Sequence, residues 1–237
     1  DGTLTATTHN VGAGNVDISG SATFTTGDLS TGTLVCSGSL TGGDGDITVS
    51  GNSCDFSGGT LSAGGGSFNF TYAGNTALTG DSNNLGDTVI NSGTTVTLSS
   101  DVEFGSLDCN GTLASAGLTS TISGNSCDFS GGSFIGSGDI IFDSGVATSF
   151  ITNGQTFGDV TLSTASTNVS TTGVLNCSNV TIDTGCTLTL GAALNASGTL
   201  DCNGTLASAG FTCTISGNSC DFSGGSFTGS GDIIFDS

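Results

Sequence analysis

The chain has 237 residues, 42 of them glycine, and contains no proline, methionine, tryptophan, lysine or arginine. Twenty acidic side chains set against a single histidine give a formal charge of −20. With no basic side chain, the phosphate-neutralising footprint of a nucleic-acid binder cannot be built, nor can attraction to an anionic membrane surface. No apolar run reaches the length needed to span a bilayer. The charge partners left open are divalent cations such as Ca²⁺ or a cationic surface.

Read in chain order, the N-terminal segment DGTLTATT (1–8) is a strand with no polar cap, followed by the only histidine, His9. Opening on Asp1, the chain reads as a processed product or an excerpt of a longer one. Residues 34–36 (LVC) and 51–59 (GNSCDFSGG) start a first, looser repeat, with the turn-like GGDGDIT (42–48) between them. TTVTL (94–98) alternates apolar and polar residues, the pattern of a half-buried strand. Residues 107–144 then return almost unchanged at 200–237. These two blocks differ only at Leu118/Phe211, Ser120/Cys213 and Ile135/Thr228. DTGCTLTL (183–190) and GDIIF (138–142) alternate in the same way, and no segment carries the 3.6-residue period of a helix.

Long internal repeats imply a stacked architecture. Cys36 to Cys109 is 73 residues, Cys109 to Cys202 is 93, and the two intervals differ by 20. Within each copy the two cysteines lie 18 apart. A coil of about 18–20 residues accounts for all of these numbers, with the intervals counted as four and five coils. The expectation is an all-β parallel β-helix (β-solenoid), one unit over 1–237, with repeats at 34–106, 107–199 and 200–237, the last interrupted. It would hold about 12–13 coils, roughly 60 Å of rod at the ~4.8 Å spacing of stacked strands. Alternation points Leu34, Cys36, Cys54, Phe56, Leu107, Cys109, Cys127, Phe129, Leu200, Cys202, Cys220 and Phe222 inward. Ile140 or Ile141, together with Phe142, fills a later coil. Gly, Asn, Asp and Ser mark the corners. The lack of proline suits a ladder that uses every N–H.

Nine cysteines fit an oxidising compartment. If inward cysteines stack on adjacent coils, Cys36–Cys54, Cys109–Cys127 and Cys202–Cys220 fall within disulfide reach. The alternative is a buried ladder of reduced thiols packed as small hydrophobes. Cys177, Cys186 and Cys213 remain, unpaired or intermolecular. No Cys-x-x-Cys motif exists and one histidine cannot complete several zinc sites.

From about residue 32 onward the chain resembles a known class. TFGDVTLSTASTNVSTTGVLNCSNVTIDTGCTLTL (156–190), followed by GTLDCNGTLASAGFTCTISGN (198–218), is similar to the β-strand repeats of large bacterial and archaeal surface proteins. These are adhesin-like parallel β-helices that alternate F-G-x-[VL]-T-[IL] with G-x-L-x-[CLV] and x-[TV]-[LI]-[ST]-G. The matching residues begin at Phe157, Gly198 and Thr214. The resemblance implies a secreted, cell-surface or filament-building role and carries over no catalytic residue.

Other chemistry finds little support. A triad would have to be built on His9 alone, and carbohydrate-cleaving β-helices need clustered carboxylates with basic partners and aromatic platforms, against one tyrosine, Tyr72. The expectation is therefore a non-enzyme with no catalytic, cofactor or resident metal residue. GGDGDIT is one residue short of a calcium-solenoid motif, although Asp44 and Asp46 could bind Ca²⁺ singly. Thr-x-Thr pairs occur at 3–5, 95–97, 187–189 and 212–214 without an 18–20-residue recurrence, which weighs against an ice- or glycan-binding face. Glycosylation sequons lie at Asn69, Asn110, Asn168, Asn176, Asn179, Asn195 and Asn203, at the frequency this composition gives by chance. The expected function is an extracellular structural protein that stacks end to end with itself into a filament, sheath or surface layer. The alternative is a passive stalk segment of a large adhesin. The chain ends on the apolar strand GDIIFDS with no cap, which favours stacking.

Overall fold

A computed structural model describes residues 3–6 and 11–236. They form an all-β parallel solenoid of about 11 turns, with about 20 residues per coil and no helix. The turn count replaces the expected 12–13, because the coil runs at the long end of the predicted range.

Nearly every turn contributes a strand to each of three parallel faces. On the first face, Ile47–Val49 lies under Ser67–Phe70, then Asp87–Ile90, Leu107–Cys109, Ser126–Asp128 and Ala147–Ile151. The same ladder continues through Asn168–Thr172, Thr187–Thr189, Thr205–Ala207 and Ser226–Thr228. On the second face, the C-terminal half of Leu29–Cys36 lies under Ser53–Asp55, then Asn75–Thr79, Thr95–Leu98, Thr112–Ala114 and Ser133–Ile135. After a break in strand pairing, where Gln155 Oε1 accepts the Phe134 N–H, the same face continues as a separate sheet of Thr156–Phe157, Leu175–Cys177, Leu194–Ala196, Cys213–Ile215 and Ile233–Phe235. The third face begins with Thr3–Ala6, Ser21–Phe24, Ser39–Thr41 and Thr60–Ser62. It resumes as Val102–Phe104, Ser120–Ile122, Ile140–Phe142, Val160–Leu162, Val180–Ile182, Leu200–Cys202 and Cys220–Asp221. In the gap between the two runs Asn83 stands in for a strand. Its Oδ1 accepts the Leu61 N–H at 2.8 Å, and Asn84 bridges to Glu103.

This arrangement follows from the strict two-residue alternation. Inward residues form one continuous core along the axis. Leu34, Cys36, Cys54, Phe56, Leu107, Cys109, Cys127, Phe129, Leu200 and Cys202 are buried as expected, while Cys220 and Phe222 are only half-buried. Of the two isoleucines left open, Ile140 is buried and Ile141 turns outward. Phe129, Phe134, Phe142, Phe150 and Phe157 build the largest aromatic cluster, with ring centroids 4.9–5.7 Å apart. Burial of such side chains contributes about 1.5–3 kcal/mol each.

The corners use stacked polar groups. Just before the third-face strands, Asp101 Oδ1 accepts the Thr119 N–H at 2.8 Å, Asp139 Oδ1 accepts the Asp159 N–H at 2.8 Å, and Asn179 Oδ1 accepts the Thr199 N–H at 2.7 Å. Before the first-face strands, Asp28 Oδ1 takes the Asp46 N–H at 3.0 Å and Asp46 Oδ1 takes the Ser67 N–H at 2.9 Å. Four of the twenty acidic side chains, Asp28, Asp46, Asp101 and Asp139, therefore cap ladder N–H groups one coil further on. Corner glycines pack against the coil below. A Cβ at Gly124 would overlap the carbonyl oxygen of Gly105, and one at Gly217 that of Gly198.

The repeated block does not return to the same face. LVC at 34–36 lies on the second face, LDC at 107–109 on the first and LDC at 200–202 on the third. The 73- and 93-residue intervals are therefore three and two-thirds and four and two-thirds turns, not four and five. Each copy steps back by one face, and its local bonding is unchanged. Asp55, Asp128 and Asp221 each accept the N–H two residues on, from Ser57, Ser130 and Ser223, at 2.8, 2.6 and 2.7 Å. Ala116 and Ala209 both take the left-handed conformation, at φ 54° and 51°.

Candidate assembly surface

The cysteines were the leading site candidates, and the register changes their reading. Leu34 lies opposite Cys54, Leu107 opposite Cys127, and Leu200 opposite Cys220. The expected vertical stacking of Cys36 on Cys54, Cys109 on Cys127 and Cys202 on Cys220 is thus displaced by two residues. Diagonal neighbours two residues out of register sit about 7–8 Å apart, beyond disulfide geometry. All nine cysteines, including Cys177, Cys186 and Cys213, are free thiols. Eight are buried and Cys220 is half-buried.

These thiols pack as small hydrophobes with a weak donor. Cys36, Cys109 and Cys202 point Sγ at the carbonyls of Thr60, Ser133 and Ser226 at 4.0, 3.8 and 3.8 Å, the same contact on three different faces. Cys186 Sγ reaches the Thr164 carbonyl at 3.1 Å. Burial pushes the Cys109 thiol up to about 11, against backbone hydrogen bonds that oppose it. Burial also raises Cys177 to about 12 and Cys213 to about 11, and holds Cys54 and Cys127 well above the ordinary thiol range. Thiols held neutral in this way are poor nucleophiles and poor metal ligands.

Other candidates disperse. Among the described residues no three His, Cys, Asp or Glu side chains gather as a metal group. Asp44 is exposed, while the Asp46 carboxylate caps Ser67. His9 lies outside the described residues. Among the sequons, Asn168 and Asn195 are exposed, and Asn69, Asn110, Asn176, Asn179 and Asn203 are half-buried. Asn179 belongs to the capped corner, and Asn195 donates to Asn176 at 2.8 Å in an outward amide stack. Hydroxyls do align vertically, Ser21/Thr23 on Ser39/Thr41 on Thr60/Ser62, but as mixed Ser and Thr rather than as recurring Thr-x-Thr. Reading Thr alone concealed that column.

What sequence reasoning missed is how far the burial of a block depends on the coil that follows it. In the internal block Cys127, Phe129, Ile140 and Phe142 are fully buried beneath the next coil, and Phe134 is nearly so. Their counterparts Cys220, Phe222, Ile233 and Phe227 are half-buried, and Phe235 is 64% exposed. Ile234, the counterpart of the outward Ile141, is 48% exposed, and Phe211 is 38% exposed.

No protein-family model, curated protein or solved structure matches this chain. The fold is that of a β-helix repeat protein. No helix among the described residues is long and apolar enough to cross a membrane.

Proposed function

We propose that this protein is a non-enzymatic structural element outside the cell that lengthens by stacking solenoid coils end to end, forming a filament, sheath or surface layer. The observation that carries the reading is the stacking itself: Cys127, Phe129, Ile140 and Phe142 are core residues beneath the coil that follows them. Apolar surface covered in this way gains about 25 cal/mol per Å². A parallel ladder also presents unpaired N–H and C=O groups at its last strand, which a further strand can satisfy. Head-to-tail contacts between copies do not close and so propagate. Placement at the cell surface rests on the resemblance to adhesin-like β-strand repeats. The cysteines, as free buried thiols, no longer argue for an oxidising compartment.

Light scattering across a concentration series, with negative-stain imaging of the same samples, tests the reading. The expected result is mass rising with concentration and rods longer than one molecule. Uniform single-length monomers at every concentration would overturn self-assembly and leave the alternative, a stalk segment whose next coil is supplied by the same polypeptide.

A further inference from the structure

The chain carries seven Asn-x-Ser/Thr sequons, and the fold does not treat them alike. Six of the seven carboxamides are held by hydrogen bonds. Asn69 Nδ2 donates to the Ser67 carbonyl at 3.3 Å, Asn110 to Asp108 Oδ1 at 2.9 Å and Asn203 to Asp201 Oδ1 at 3.0 Å. Asn179 Nδ2 donates to Asp159 Oδ1 at 2.7 Å while its Oδ1 caps the next coil. Asn195 donates to Asn176 at 2.8 Å, and Asn176 donates in turn to the Gly154 carbonyl at 3.3 Å. Several of the accompanying hydroxyls are occupied as well. Thr71 donates to the Val49 carbonyl and Ser197 to the Cys177 carbonyl, while Thr112 pairs with Ser133 and Thr205 with Ser226.

Asn168 differs on each count. Its side chain is exposed and makes no hydrogen bond among the described residues. It opens the strand Asn168–Thr172, directly after a turn closed by the Thr167 N–H on the Thr164 carbonyl at 2.9 Å. Ser170, two residues on and therefore on the same outward side, is exposed and equally unbonded among the described residues. Val169 between them is buried and anchors the strand. In the coil below, the residue opposite Asn168 is the exposed Ala147, so no long side chain stands against the amide from that side. A free carboxamide beside a free hydroxyl at a surface turn is what transfer of an N-linked sugar requires of its acceptor.

We infer that Asn168 is a modification site, the one sequon of the seven that accepts an N-linked sugar in the folded solenoid. The donor is a sugar activated as a diphosphate ester. Transfer forms a bond from Asn168 Nδ2 to the anomeric carbon and breaks the bond from that carbon to the diphosphate, which leaves with its carrier. The amide proton passes to a base of the transferase. At the other six sequons the same reaction must first break a hydrogen bond that holds a corner or an outward stack. A sugar on Asn168 projects from a lateral face, off the stacking axis. The inference therefore holds whether or not copies of the chain join end to end.

The test incubates the folded full chain with uridine-diphosphate glucose and a soluble asparagine glucosyltransferase that accepts a synthetic peptide of the Asn168 sequon. Matching peptides of the other six sequons run beside it. The chain has no Lys or Arg for trypsin, so it is cut at Asp, and mass spectrometry gives the occupancy of each sequon. The readout is the rate in the chain divided by the rate in the matching peptide. That ratio should be close to unity at Asn168 and lower by about tenfold or more elsewhere, where reaction waits on local opening. Asn168→Gln should abolish the single added hexose in the intact mass and leave the circular dichroism melt unchanged. A ratio at Asn168 no higher than at any other sequon overturns the inference, as does a hexose retained by the Asn168→Gln chain.

Discussion

The blocks at 107–144 and 200–237 are nearly the same sequence in two situations. One has coils above and below; the other has a coil only below. The strands, the Asp–Ser turn and the left-handed alanine are the same in both, so they are properties of the block itself. Burial of the aromatic residues differs, so that belongs to the neighbour above. A solenoid coil settles its backbone locally and completes its core only through the next coil, which is the nearest-neighbour energetics of repeat proteins.

Several measurements would break or sharpen that comparison. The largest effect is expected from alkali. A buried thiol stays neutral in the fold while the unfolded thiol ionises above its ordinary value, so rising pH favours the unfolded chain. Stability is constant below the ordinary thiol value of 9.0, then falls as pH rises toward the folded values of about 11 for Cys109 and Cys213 and about 12 for Cys177. Circular dichroism melts at pH 8 and pH 10.5 should show that loss, with Cys220 alkylated before Cys127. Flat stability across this range would mean that the thiols are not buried. Next, Phe129→Ala should cost about 3–5 kcal/mol, and Phe222→Ala clearly less, in urea melts. Equal costs would erase the distinction between covered and uncovered blocks.

The glycines should behave in the opposite way. Gly124→Ala and Gly217→Ala both meet a carbonyl of the coil below, which is present in both blocks. Each should destabilise by about 1–3 kcal/mol, and by similar amounts. The smallest change is expected at the one buried position where the blocks differ in polarity. Ser120 is buried and its Oγ has no hydrogen-bond partner, while its counterpart Cys213 is buried as a thiol. Ser120→Cys should raise stability by about 1 kcal/mol, because an unsatisfied buried hydroxyl is removed. A fall in melting temperature would show that Ser120 has a partner in solution.

Much of this was legible in the sequence. Alternation at LDC, CDF and IIF gave the strands and the inward positions, and the repeat gave the stacking. The register was not legible, for a specific reason. L-x-C and C-x-F each offer two inward positions, so sliding one strand by two residues buries the same face. Aligning Cys109 on Cys127 and aligning Leu107 on Cys127 satisfy the pattern equally, and only packing at the corners selects the second. Counting Cys-to-Cys spacing as one coil then hid the one-third turn by which each block is rotated. Dependence on the next coil was not legible either, because alternation marks Phe129 and Phe142 as inward without saying which coil covers them.

The step of one face per block has a consequence for how such a chain can lengthen in evolution. If a block could sit on only one side, every duplication would have to span whole coils or shift each later residue out of phase. Because 34–56, 107–129 and 200–222 fold alike on three different sides, the tolerated increment is a single strand with its corner. Recombination can then join copies at any of three rotational settings and still leave an unbroken thread.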